Sequence, residues 1–131
     1  MKKPVKYKKW LTGDTQITSA APREHKRAWR LLRADIARAA RHCGEKWNVN
    51  SGYRSFQEQV RLYNLYKAGK GNLAAVPGTS NHGKGRAADM SVNGVPVGST
   101  EKHRAALKRY GLCLPVQGEK WHTEHGTTWR A

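Results

Sequence analysis

The sequence is poor in several residue types, and each shortage excludes a class of protein. Its two cysteines, Cys43 and Cys113, cannot form the disulfide framework of a small secreted domain, so we expect reduced, partly buried thiols. The absence of any apolar run of about 18 residues excludes a transmembrane helix. No apolar stretch follows the basic start of the chain, so no signal peptide is predicted.

Acidic residues are also scarce. Only 9 Asp and Glu stand against 25 Lys and Arg among 131 residues, which gives a formal net charge of +16. This charge favours an anionic partner, because its field concentrates polyanions near the surface. Nucleic acid is one candidate, since residues 23–41 resemble a basic helix, but no zinc finger or RNA-recognition motif accompanies it. Teichoic acids, lipopolysaccharide and anionic lipids fit equally well, and solubility alone is a further explanation.

The order of helix and strand signals predicts an α+β fold, a small and mostly antiparallel sheet with flanking helices. We expect one domain over residues 1–131, in which residues 1–20 form a basic N-terminal extension. Helices are predicted over 23–43, from Ser55 to Gly69, and over 99–110. Strands are predicted over 47–50, 86–92, 112–116 and 120–124, with a hairpin turn at Asn93-Gly94 and a long loop over 70–85.

The six histidines fall into two groups. His25, His42 and His103 lie on predicted helices among basic residues, where we expect solvated side chains. The other three, His82, His122 and His125, lie in loop or strand segments beside glycine, tryptophan and carboxylates.

Two imidazoles and one carboxylate form a typical catalytic zinc set, because three protein ligands leave a fourth position for water. His82 and Asp89 lie seven residues apart in a glycine-containing loop that leads into a strand, and the glycines allow the backbone to bend closely around one point. Glu119 and His122 supply a further carboxylate and imidazole. The residue pattern alone leaves two interpretations open, a zinc site or solvated histidines near a capping aspartate.

Three motifs occur in order between about Trp47 and His125. They are Ser51-Gly-Tyr-Arg54-Ser with Gln59, then Ser80-x-His82-x-x-Gly85-x-Ala87-x-Asp89, then Glu119-x-Trp121-His122. Together they resemble the zinc peptidase family of D-Ala-D-Ala carboxypeptidases and L-alanyl-D-glutamate endopeptidases, which is related to the lysostaphin and hedgehog folds. The second and third motifs together are specific, whereas the first alone is weak.

The resemblance implies a role for each matched residue. His82, Asp89 and His122 would bind Zn²⁺, and Glu119 would be the catalytic carboxylate. Arg54 would hold the substrate or the developing oxyanion, with Ser80 and Gln59 as further substrate-binding residues. Glu124 matches no assigned position, and His125 competes with His122 as a ligand on spacing alone.

Short length, no predicted signal and high positive charge favour an endolysin-like L-alanyl-D-glutamate endopeptidase of bacteriophage type. Such a protein would stay in the cytoplasm of the producing cell and act on peptidoglycan and anionic envelope polymers after release, as a monomer. The alternatives are a D-alanyl-D-alanine carboxypeptidase or dipeptidase, a non-enzymatic zinc-fold binder, and a basic nucleic-acid-binding domain. Glu119 argues against the binder, and the ordered motifs argue against the nucleic-acid-binding domain.

Overall fold

The computed structural model describes residues 2–131 and confirms the α+β fold. The helices are α1 (Tyr7–Trp10), α2 (Arg23–Cys43), α3 (Phe56–Lys67) and α4 (Glu101–Arg109). The strands are β1 (Leu11–Gly13), β2 (Trp47–Ser51), β3 (Ala88–Val92), β4 (Val95–Pro96), β5 (Leu112–Cys113) and β6 (His122–His125). Two 3₁₀ turns cover His82–Lys84 and Val97–Ser99. Within residues 2–131 we find no helix long and apolar enough to cross a membrane.

The sheet has the strand order β1-β2-β3-β6-β5, and β4 also pairs with β3. All pairs are antiparallel except β1 with β2, so the mostly antiparallel sheet is confirmed. A parallel pair needs a crossover connection, which α2 supplies. The central strand β3 places Asp89 opposite Ser51 of β2 on one side and opposite His122 of β6 on the other. Two of the three predicted ligands therefore face each other across one strand pair.

Helix α2 supplies more residues to the buried hydrophobic core than any other described element of the fold. Its apolar stripe of Trp29, Leu32, Ile36 and Ala40 is fully buried. Burying a Leu or Ile side chain stabilises a fold by about 1.5–3 kcal/mol, so this stripe anchors the helix to the sheet. The helix ends at Gly44, whose φ of 67° suits the left-handed position after a helix.

Part of the predicted basic N-terminal extension, residues 1–20, contributes a strand to the sheet. Leu11 is buried and β1 pairs with the first three residues of β2. Asp14 Oδ2 then accepts a hydrogen bond from the backbone N–H of Gly52 at 2.9 Å. Three residues are too few to display the alternation of a strand, and the partner strand lies more than thirty residues away, so the local sequence carries no signal for this pairing.

The segment around α3 differs from the core in how it packs. Ser55 caps the helix as predicted, since its hydroxyl accepts the backbone N–H of Glu58 at 3.1 Å. The apolar side chains of α3 are not buried, however, and Phe56 is 61% exposed. The buried residue of the helix is Gln59. Helix α3 is thus a peripheral element that borders a cleft.

The hairpin turn at Asn93-Gly94 is confirmed, with φ of 52° and 78° at the two positions. A two-residue hairpin turn whose twist matches that of the flanking strands requires positive φ at both central residues. The turn connects β3 to β4 and holds the far end of the central strand.

Candidate metal centre

Three donor atoms meet at the middle of the sheet. Asp89 Oδ1 lies 3.2 Å from His82 Nε2 and 3.5 Å from His122 Nδ1, and one donor atom of each residue lies within 4.8 Å of the others. The two imidazoles are buried and meet edge to face with ring centroids 5.2 Å apart. The residues come from three elements: the 3₁₀ turn, β3 and β6. The structure therefore brings together the three residues that the family resemblance implies as zinc ligands.

A glycine at the end of the 3₁₀ turn makes this convergence possible. Gly85 has a φ of +73°, and a Cβ at this position would lie 2.5 Å from the carbonyl oxygen of His25 on α2. The chain therefore bends tightly against α2 before it enters β3. This is the close backbone approach expected from the glycines between His82 and Asp89.

Each of the two histidines has one ring nitrogen in contact with a protein oxygen. That contact leaves the second ring nitrogen to face the centre. His82 Nδ1 lies 3.0 Å from the carbonyl oxygen of Gly52, which can only accept, so Nδ1 donates and Nε2 is free to ligate. His122 Nε2 lies 2.6 Å from Glu124 Oε2, which leaves Nδ1 for the centre. Metal-binding histidines are usually oriented by such carbonyl and carboxylate partners.

The residues fit a zinc ion. Asp89 Oδ1 is a buried oxygen without a hydrogen-bond partner among residues 2–131, although two ring nitrogens lie close to it. Neither nitrogen is aligned on the oxygen, so all three atoms face a shared space. Ligand atoms at zinc bond lengths in a tetrahedron are about 3.4 Å apart, close to the two separations found here. Two nitrogens and one oxygen also suit Zn²⁺ and leave a fourth position open.

Without a metal ion, the centre places the His122 ring between the two carboxylates of Asp89 and Glu124. Burial lowers the pKa of His122, but the adjacent carboxylates of Asp89 and Glu124 outweigh it and raise the pKa to about 9. Burial raises the pKa of Asp89, yet the contacts with His122 and His82 hold it well below the usual range. His122 is therefore protonated at neutral pH without metal, and a metal ion that binds there displaces one proton.

Glu119 lies at the edge of the centre and not among the donors. Its Oε1 is 3.8 Å from His122 Nδ1, and its side chain is one third exposed. The backbone N–H of His122 donates to the carbonyl oxygen of Glu119, which fixes the turn that connects the two residues. A carboxylate in this position can reach a water molecule at the open side of the centre without itself ligating.

Arg54 is held rigidly beside the centre. Its guanidinium donates to Gln59 Oε1 at 2.9 Å and to Ser51 Oγ at 3.0 Å, and its backbone N–H donates to the carbonyl oxygen of His82. Gln59 Nε2 in turn donates to the carbonyl oxygen of Ala75, so both polar groups of Gln59 already contact the protein. Gln59 therefore positions Arg54 and the following loop.

A cleft of about 260 Å³ lies beside these residues. Ser80 is buried at its wall, as is Gln59, and Phe56 forms an exposed apolar rim. The remaining lining residues are Pro22, His25, Tyr53, Gly78, Gly83 and Lys84. The cleft is large enough for a few residues of a small peptide.

Two residues near the C-terminus differ from the expectations. His125 points away from the centre, and its Nε2 contacts Asp35 Oδ2 on α2 at 2.8 Å, so it does not compete with His122. Glu124, which matched no assigned position, orients His122 and also accepts from Asn81 Nδ2. The sequence held a signal for the contact between Glu124 and His122, because residues 122 and 124 of a predicted strand lie on the same face.

The family comparison gives this site its context. Residues 23–126 match the model of the VanY family, described as D-alanyl-D-alanine carboxypeptidase. No curated protein sequence matches this chain. The match defines the class, a carboxypeptidase family, and confirms the resemblance carried by the three motifs. The chain belongs to the VanY family.

Solved structures agree on the fold. The chain is similar to the LdcB LD-carboxypeptidase, with 25% identity and a TM-score of 0.52 over 72% of this chain and 58% of that one. It also resembles the vancomycin-resistance D,D-dipeptidase VanXYg, with 21% identity and a TM-score of 0.55 over 72% of this chain and 50% of that one. The chain thus spans 58% and 50% of the lengths of these two relatives.

Proposed function

We propose that this protein is a zinc-dependent carboxypeptidase that removes a terminal D-amino acid from the stem peptide of peptidoglycan. The observation that carries the proposal is the convergence of one ring nitrogen each from His82 and His122 on Asp89 Oδ1, a buried oxygen without a hydrogen-bond partner among residues 2–131. Membership of the D-alanyl-D-alanine carboxypeptidase family supports the bond, and the similarity to an LD-carboxypeptidase supports cleavage at the same end of the peptide. These findings favour the carboxypeptidase over the L-alanyl-D-glutamate endopeptidase expected from length and charge.

His82, Asp89 and His122 would hold the zinc ion. When bound, the ion supplies a Lewis acid that polarises a carbonyl group and makes water more acidic. Glu119 then accepts a proton from the attacking water and delivers it to the leaving amine. Arg54, held by Gln59 and Ser51, donates hydrogen bonds to the substrate carboxylate or to the oxygen on which negative charge develops.

The test is product analysis with defined stem peptides. Zinc-loaded protein is incubated with a pentapeptide ending in D-Ala-D-Ala and with the tetrapeptide ending in a single D-Ala, and the products are identified by mass spectrometry. We expect loss of one D-Ala from at least one peptide and no release by His82→Ala. Cleavage between L-Ala and D-Glu would overturn the carboxypeptidase in favour of the endopeptidase. Intact peptides would overturn both.

We also propose that a basic cleft binds the anionic polymers of the envelope. A cavity of about 560 Å³ is lined by Lys2, Lys3, Arg38, Arg41, His42, Arg109 and Tyr110. Arg38 and Arg41 are fixed there, since they donate to the carbonyl oxygens of Lys3 and Pro4. No acidic side chain lines the cavity within the described part of the chain, although Asp35 pairs with Lys2 and Arg38. The further cations Lys3, Arg41 and Arg109 give the cavity a positive field that favours phosphate groups of a wall polymer. Its lining residues are separate from the metal centre.

A further inference from the structure

A second cluster of metal-ligating side chains lies outside the centre described above. It consists of Cys43 at the end of α2, Glu45 in the turn that follows, and His103 in α4. One donor atom from each residue lies within 4.8 Å of the other two, and His103 Nε2 is 2.8 Å from Glu45 Oε1. All three residues are partly buried. His103 is therefore not the solvated side chain expected from its basic neighbours.

The fold holds these groups in place from two sides. The left-handed turn at Gly44 separates Cys43 from Glu45 and lets both side chains reach the start of α4. The other ring nitrogen of His103, Nδ1, lies 2.8 Å from Thr100 Oγ1, the residue that caps α4. The ring also packs edge to face on Trp47, with centroids 5.6 Å apart. His103 Nε2 donates to the Glu45 carboxylate, whereas the inward nitrogens of His82 and His122 make no hydrogen bond to Asp89 Oδ1, so an ion bound at the second cluster would replace the proton on His103 Nε2.

The second cluster is independent of the first. The strand β2 separates them, because Trp47 at its start contacts His103, whereas Ser51 at its end pairs with Asp89. The four residue steps from Trp47 to Ser51 span about 13 Å at 3.3 Å per residue. A ligand at one cluster therefore has no direct contact with the other.

We propose that Cys43, Glu45 and His103 form a second site for a zinc-class divalent ion. A thiolate, an imidazole and a carboxylate are donors that Zn²⁺ and Co²⁺ accept, whereas Mg²⁺ and Ca²⁺ prefer oxygen alone. Three protein donors leave one position for water. The ion joins the end of α2, the turn before β2 and the start of α4, so it stabilises the contact between the two helices.

The neighbouring charges are compatible with this site. Lys102 Nζ lies 3.7 Å from Glu45 Oε1, but its side chain is 61% exposed and can move into solvent. Burial and the nearby Glu45 raise the pKa of the Cys43 thiol, so the thiol is protonated without metal and releases its proton to solvent when an ion binds. Both cysteines are free thiols, so Cys43 is available as a ligand.

Cobalt titration of the full chain tests the proposal, because the first centre contains no sulfur. Chelator-treated protein is titrated with Co²⁺, and absorption is followed in the near ultraviolet, where thiolate-to-cobalt charge transfer occurs. We expect two equivalents bound and a charge-transfer band. Cys43→Ser should bind one equivalent and lose the band, whereas the matched control Cys113→Ser should keep both.

The variant His82→Ala separates the two sites. It should bind one equivalent of Co²⁺ and keep the charge-transfer band. Added Zn²⁺ should still raise its thermal unfolding midpoint, whereas the double variant His82→Ala with Cys43→Ser should show no such rise. If Cys43→Ser does not fold, His103→Gln serves in its place, since the amide keeps polar contacts but is a poor ligand. Absence of the band in the wild-type protein, or its persistence in Cys43→Ser, would overturn the second site.

Discussion

Glu124 Oε2 accepts a hydrogen bond from His122 Nε2 at 2.6 Å, and this contact decides which nitrogen of His122 faces the metal centre. The two residues share one face of β6, and Asn81 Nδ2 donates to both oxygens of the carboxylate at 3.1 Å. Burial raises the pKa of Glu124, but the contacts with His122 and Asn81 lower it overall, so the carboxylate stays charged. The candidate metal centre thus includes a carboxylate that orients a predicted ligand and is not itself among the predicted ligands.

Replacing Glu124 by Ala should weaken zinc binding about 10- to 100-fold, the usual effect of losing a partner that orients a ligand. The reason is that His122 loses the acceptor that fixes its tautomer. Competition with a chromogenic chelator measures the affinity. Glu101→Gln is the matched control, because the Glu101 side chain is 96% exposed, and it should bind zinc like the wild-type protein. Equal affinity in Glu124→Ala would show that His122 needs no such support.

Replacing His82, Asp89 or His122 by Ala should remove zinc from this centre and abolish hydrolysis. The matched control is His125→Ala, because His125 contacts Asp35 and not the centre. Metal content and peptide cleavage are measured on each purified variant, with Cys43→Ser as the background so that only one site is counted. Retained zinc in His122→Ala together with loss in His125→Ala would reverse the ligand assignment.

Replacing Glu119 by Gln should leave zinc bound and slow hydrolysis by about 10²–10⁴, the contribution of a positioned general acid–base group. The amide keeps the shape of the side chain but cannot accept the proton of water. Zinc content is measured beside the initial rate of D-Ala release. Near-normal release by the fully loaded variant would remove Glu119 from the mechanism, and loss of zinc would make it a support for His122.

Asp35 should make the stability of the fold depend on pH. It is buried on α2 and binds Lys2, Arg38 and His125 through its carboxylate. Burial raises its pKa, but these three partners lower it overall below the ordinary value of 3.8. A group with a lowered pKa in the folded state contributes stability above the pKa of the unfolded state, and this contribution is lost as the pH falls through the folded pKa.

We therefore expect Asp35→Asn to lower the free energy of unfolding by about 2 kcal/mol at pH 7, with the difference shrinking below pH 3.8. Denaturant unfolding of the His82→Ala background measures this without the first metal centre. The control is Glu58→Gln, which breaks an exposed ion pair with Arg61 worth about 0–1 kcal/mol. A difference that persists unchanged at low pH would assign the effect of Asp35→Asn to packing and not to charge.

The basic cleft should make retention on anionic walls depend on salt and on particular cations. Lys3→Ser with Arg109→Ser removes two charges from its lining, whereas Lys67→Ser with Lys70→Ser removes two from α3 and the loop after it. Elution from cell walls carrying phosphodiester polymers is compared along a salt gradient. The first pair should elute at clearly lower salt, since exposed charges act over about 10 Å at 0.1 M. If the two double variants elute at the same salt concentration, the net charge of the protein and not the basic cleft explains its retention on the walls.

Local patterns predicted the parts of the fold that local forces decide. The apolar stripe and the glycine after it predicted α2 over residues 23–43, which are its observed bounds. Asn93-Gly94 likewise predicted the hairpin between β3 and β4. The convergence of His82, Asp89 and His122 followed from the family resemblance, since residue spacing alone left solvated histidines as an alternative.

Features that depend on distant contacts were missed. The pairing of β1 joins residues more than thirty positions apart, and the role of Gln59 depends on Arg54 and on the carbonyl of Ala75. Similarly, His103 was predicted to be solvated because its neighbours in sequence are basic, whereas its contacts come from Glu45 and Trp47. Neither hydrophobic periodicity nor secondary-structure propensity carries information on contacts between residues that are distant in sequence.

The β1–β2 pairing bears on how this protein can be shortened or fused to other modules. Asp14 accepts the N–H of Gly52, and the carbonyl of Gly52 accepts from the ring of His82, so two hydrogen bonds connect the N-terminal segment to a predicted metal ligand. A truncation at residue 23, where the family match begins, would remove this link and uncover the edge of β2. An uncovered strand edge invites aggregation. A minimal folded module must therefore begin upstream of β1, and a fusion partner belongs before that strand and not in place of it.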